Sequence, residues 1–186
     1  MSKITKQEFS SIRQTYHNLL FAHCDDKYLS EYGLNIIKAA LIDQNQLFFN
    51  RIRYYLFHFS LIELNKLFHS PEKYSINKYI NYEIKNNSNN DLIELRKTIN
   101  TQSTKDVIWR IKTIRDKVSA HLDPDRFQIE KLDFKVSEIT ELLNILHKFM
   151  EIFSMIVDNK AYEIPIDKTK LGHKLHEQFE KSITRS

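Results

Sequence analysis

Only two glycines, Gly33 and Gly172, and three prolines, Pro71, Pro124 and Pro165, interrupt 186 residues, and this scarcity decides the fold class. A many-stranded sheet needs frequent tight turns, and tight turns draw on glycine and proline for backbone angles that other residues avoid. Apolar residues recur instead at three- and four-residue spacings, the period of an amphipathic helix. The expectation is an all-α helical bundle with long central helices. The length suits one domain, read here as residues 1–160, followed by a C-terminal extension, 161–186, with a short helix. The same shortage excludes a GxGxxG or Walker-type phosphate cradle, which requires glycines at fixed offsets.

Taken in order, Thr5 and Glu8 form a capping box, and Phe9, Ile12, Tyr16, Leu19, Leu20 and His23 follow at helical spacing, predicting a first helix that ends near Asp25. Ser30 is then the cap of a second helix whose register holds from Leu34 to Ile62. A new start at Asp43 is the alternative to one continuous helix with a kink. The run from Leu47 to Phe68 is apolar on more than one face, as in a helix touched from several sides, and it can also supply a dimer surface. Most of its rings, Tyr54, Tyr55 and Phe57 among them, are expected in the core rather than stacked on bases beside Arg51 and Arg53. Ser70 followed by Pro71 predicts the next helix start, and Asn86 to Asn90 a polar loop. Leu92 to Ile99 is another short helix, and Ser103 or Thr104 caps the one after it. Val136, Ile139, Leu143, Leu146, Met150, Phe153 and Val157 form one seam, expected to pack on the preceding helix and on the long second helix.

The formal charge of +4 and pI near 9.0 favour approach to a polyanion without identifying one. A single cysteine, Cys24, excludes an internal disulfide; it suits a reducing cytoplasm and is expected as a small buried side chain. No apolar stretch reads as a signal peptide or membrane span, so a cytoplasmic location with no membrane partner is expected. His173 and His176 lack a third metal ligand placed beside them, and His23, Cys24, Asp25 and Asp26 read better as a helix end than as a metal site. No cofactor or metal is called for.

The chemistry concentrates in Lys105 to Asp125, KDVIWRIKTIRDKVSAHLDPD. Val107, Ile108, Ile111, Ile114 and Val118 form its buried stripe, and Pro124 stops the helix near His121 or Leu122. Arg115, Asp116 and His121 crowd at that end. An arginine, a polar residue and a histidine a few positions on, late in a helix of an all-α domain, resemble the signature of the HEPN superfamily. The fuller RDKVSAHLD is similar to its AbiU-like branch from abortive-infection systems. The resemblance covers roughly Ile4 to Lys160. It implies a homodimer and a metal-independent endoribonuclease leaving a 2′,3′-cyclic phosphate. It further implies a toxin or phage-defence role, with an antitoxin as a possible partner.

Histidine exchanges protons near neutral pH, and arginine stays charged and offers a planar fork to phosphate. Arg115 and His121 fit those roles. Asp116 either orients Arg115 or serves the histidine of a facing subunit. Lys112, Lys117 and Arg126 are placed to steer an RNA backbone. Residues six apart on a straight helix differ by about 240° and about 9 Å, so Arg115 and His121 do not share a face. Either the helix unwinds before His121 or the site combines two subunits. The helix C-terminus favours a protonated histidine, which suits a general acid. The competing account is structural: Arg115 paired with a nearby carboxylate and His121 capping the helix, in a non-catalytic binding or dimerisation module.

Overall fold

Thr5 opens the first helix because it and Glu8 satisfy each other's backbone donors. Glu8 N donates to Thr5 Oγ1 at 3.1 Å, and Thr5 N donates to Glu8 Oε2 at 2.9 Å. The backbone N–H of Thr5, and then its hydroxyl, hold the Glu8 carboxyl below its usual range. The computed structural model describes residues 3–39, 43–69, 71–119 and 135–164. They form six helices and no strand: α1 (Lys6–Ala39), α2 (Asp43–Phe68), α3 (Ile76–Asn87), α4 (Asn90–Ile99), α5 (Gln102–Ser119) and α6 (Val136–Asp158). The all-α expectation is met. Residues 40–42, where a single long helix and a fresh start at Asp43 would differ, lie outside the described residues, as do 120–134 and 165–186.

Several boundaries differ from expectation. The first helix does not end at Asp25 and no second helix starts at Ser30, because α1 runs unbroken to Ala39. No proline falls in that span, and a lone mid-helix glycine such as Gly33 costs only about 1 kcal/mol. Pro71 does not start α3. Residues 71–74 form turns, with Glu72 N donating to His69 O and Ser75 N to Glu72 O, and the helix begins at Ile76 after Ser75. The polar loop shrinks to Ser88 and Asn89. Ser88 sits in the left-handed region at φ 45°, and Asn89 caps α4 by accepting Leu92 N at 3.1 Å. Neither Ser103 nor Thr104 caps α5. Thr101 Oγ1 does, accepting Thr104 N at 3.4 Å one turn earlier.

The chain packs as two compact units. The described residues within 1–16 and 61–162 make up one, and those within 17–60 and 163–164 the other. In the first, α4 packs on α3 and on α6, and Tyr79, Ile80, Leu92, Leu95, Leu146, Phe149 and Phe153 of these helices are buried, with Phe149 and Phe153 stacked at 4.2 Å between ring centroids. The α6 seam is buried from Ile139 to Phe153, and α4 packs on this helix. The short α4 touches α3, α5 and α6, so it is the central piece of this unit. A paired charge ties α5 to α6. Arg110 donates to both Glu138 oxygens, at 2.5 and 3.2 Å, while Glu138 Oε2 also accepts Lys135 N at 2.9 Å and so caps α6.

In the second unit, α1 and α2 are joined by Arg53 Nε donating to Asp26 Oδ1 at 3.1 Å. His23, Cys24 and Asp26 stand mid-helix, with Cys24 half-buried rather than buried. Tyr54 and Tyr55 are 55% and 67% exposed, so the expectation that these rings enter the core fails. Tyr54 instead packs edge-on against Tyr55 and His58 of the same helix, at 5.9 and 4.0 Å between ring centroids.

Candidate functional site

Val107, Ile111 and Ile114 bury the inner face of α5, which leaves Arg115 at the border between core and surface with 24% of its side chain exposed. Its guanidinium is held from two directions. Nε and Nη2 both donate to Asp116 Oδ1, at 2.9 and 2.6 Å, and Nη1 donates to Glu72 Oε1 at 3.1 Å. Asp116 Oδ2 accepts Lys112 Nζ at 2.8 Å from one turn back. Glu72 comes from the turn before α3, which is itself pinned: Lys78 Nζ donates to the Glu72 carbonyl at 2.6 Å, and the buried Asn65 reaches Glu72 Oε1 at 3.5 Å.

Two cations and two carboxylates make the cluster formally neutral. The hydrogen bond from Lys112 is the main reason the Asp116 carboxyl lies below its ordinary range; burial opposes this, and Arg115 adds to it. Burial works against the Arg115 charge, but bonding to Asp116 and then Glu72 outweighs it and strengthens the guanidinium's hold on its proton. Three N–H groups of Arg115 are thus engaged, and its remaining terminal N–H groups can meet an anion.

The structure therefore brings Arg115, Asp116 and Lys112 together. Lys117 lies in the α5 backbone, with its side chain outside the description, and His121 and Arg126 lie outside the described residues. Glu72 is the member that sequence reading missed, since nothing local links it to a residue 43 positions away. Also missed were Trp109, Lys105 and His69, which line an open groove of about 290 Å³ that Lys112 shares. A signal for Trp109 existed: it falls off the apolar stripe of α5, about 200° round the helix from Ile111.

Among the described residues no group of three or more His, Cys, Asp or Glu side chains is arranged to hold a metal ion, and no helix is long and apolar enough to cross a membrane. Among the described residues, fold and site define an all-helical arrangement with an arginine on α5 seated between two carboxylates. No family model, no curated protein and no solved structure matches the chain.

Proposed function

We propose that this protein is a HEPN-type, metal-independent endoribonuclease acting as a homodimer, with a role as a toxin or phage-defence effector in the cytoplasm. Arg115 holds the scissile phosphate and His121 moves the protons. The 2′-oxygen attacks the adjacent phosphorus and gives up its proton; the 2′-O–P bond forms, the P–O5′ bond breaks, and the 5′-oxygen is protonated as it leaves. The observation that carries this is the seated guanidinium, oriented by Asp116 and Glu72 with N–H groups to spare.

Incubating cellular RNA with the protein in chelator tests it. The native chain should cleave and leave cyclic phosphate ends. His121→Ala should lose about 10²–10⁴-fold in rate, as expected for a general acid or base, and Arg115→Ala about 10²-fold or more. Expression of the native chain should arrest growth, and either substitution should relieve the arrest.

The same ion pairs favour a second reading. The carboxylate pairing of Arg115 is what a structural ion pair requires, and a non-catalytic HEPN-like module that binds RNA or a protein such as an antitoxin would keep it. Intact RNA with the native chain and both variants, together with retained binding, would establish that function instead.

A further inference from the structure

Lys105, Trp109, Lys112 and Asp116 follow spacings of four, three and four, so they fall within about 60° of arc on α5, on the side away from its buried stripe. This stripe runs beside the groove and ends at the cluster that seats Arg115. Trp109 is 60% exposed, an unusual state for the largest apolar side chain and the only tryptophan in the protein. Phe68, Ile99 and Ile108 make the groove apolar. The Lys105 ammonium is exposed and makes no ion pair among the described residues.

An aromatic face flanked by ammonium groups has a specific use. A nucleobase of any identity stacks on indole, and the phosphates on either side of it meet the lysines. The groove volume of about 290 Å³ lies just below the range for small-molecule sites, roughly 300–1,000 Å³, which suits one flat ring. An acidic peptide would satisfy the lysines but would leave the indole face and apolar walls without a matching ring. Trp109 and Arg115 are six residues apart, about 9 Å along the axis and about 240° round it, so they do not share a face of α5; what joins them is Asp116, which lies on the stripe and holds the Arg115 guanidinium at its edge.

We infer that the groove beside Trp109 seats a base of single-stranded RNA, with the phosphates on either side of it on Lys105 and Lys112, and so delivers the phosphate on the Lys112 side towards Arg115. The delivery step rests on the ribonuclease proposal, whereas the binding does not.

The test uses a short 2′-O-methyl oligoadenylate, which lacks the free hydroxyl that cleavage needs. As Trp109 is the sole tryptophan, its intrinsic fluorescence reports groove occupancy directly. Saturable quenching is expected. By anisotropy of the labelled oligomer, Trp109→Ala should weaken binding about tenfold or more while Trp109→Phe retains most of it. Lys105→Glu should weaken binding and flatten its salt dependence by about one phosphate contact. Circular dichroism and melting of each variant should match the native chain, since both side chains are exposed. No quenching, equal affinity for Trp109→Ala, or equal quenching by inorganic polyphosphate would overturn the inference. If the native chain cleaves RNA in chelator while Trp109→Ala binds normally, the groove fails and the ribonuclease stands. Weakened binding by Trp109→Ala without any cleavage keeps the groove and removes the ribonuclease.

Discussion

Asp116 accepts from both Arg115 and Lys112, so its protonation should dismantle the cluster from the middle. Its folded pKa lies below the ordinary 3.8. A carboxyl depressed in this way contributes stability that is fully present above 3.8 and lost as pH falls through the folded value, because only the unfolded chain takes up the proton readily at first. The difference in melting temperature between the native chain and Asp116→Asn should therefore be largest near ~pH 6 and shrink as pH drops below ~4. A gap that stays constant across that range would mean that the charge of Asp116 does not hold the cluster. At this scale the sequence disclosed part of the site. Arg115, Asp116 and Lys112 are neighbours along one helix, and helical spacing relates them. Glu72 reaches them only through the packing of the turn before α3, and no periodicity encodes such a contact.

Helix ends follow from local chemistry where a side chain and a backbone donor are a few residues apart. The Thr5–Glu8 box was readable for that reason, and Thr101 and Asn89 could have been read by the same rule. Proline misled at Pro71, where a start signal in sequence became a turn because Glu72 and Ser75 close it by backbone hydrogen bonds. Asp25 misled in the opposite way: a cluster of small polar residues resembles a helix end, yet nothing there breaks the backbone ladder of α1. Two caps allow these contributions to be compared. Asn89→Ala removes one cap bond of α4 and should cost about 1 kcal/mol. Glu138→Ala removes the cap of α6 together with the paired acceptor of Arg110, whose side chain is 22% exposed, and should cost about 2–4 kcal/mol. Urea denaturation followed by circular dichroism measures both, and equal costs would show that the tie between α5 and α6 adds nothing beyond the cap.

At the scale of the whole molecule, scarcity of glycine and proline was enough to foretell helices and no strand among the described residues, because composition restricts architecture without specifying neighbours. It could not foretell that α4, one of the shortest helices, would be the one that touches α3, α5 and α6. That depends on complementary buried faces, which are legible only once partners are known. The same limit applies to the proposed pairing of Arg115 with His121, since a straight helix separates residues six apart by about 240°. If the proposed site draws its arginine from one protomer and its histidine from the other, two inactive proteins should repair each other. Mixing Arg115→Ala with His121→Ala under conditions of subunit exchange makes heterodimers in which one site regains both groups and the other loses both. With random pairing, half the dimers are mixed and each has one of two sites intact, so about a quarter of native activity should return. If each site lies within one protomer, every site in the mixture lacks a residue and none should return. Size-exclusion chromatography with light scattering checks that a dimer forms at all, and a monomer that still cleaves RNA would exclude the shared site while leaving the chemistry of Arg115 open to the single-chain assay.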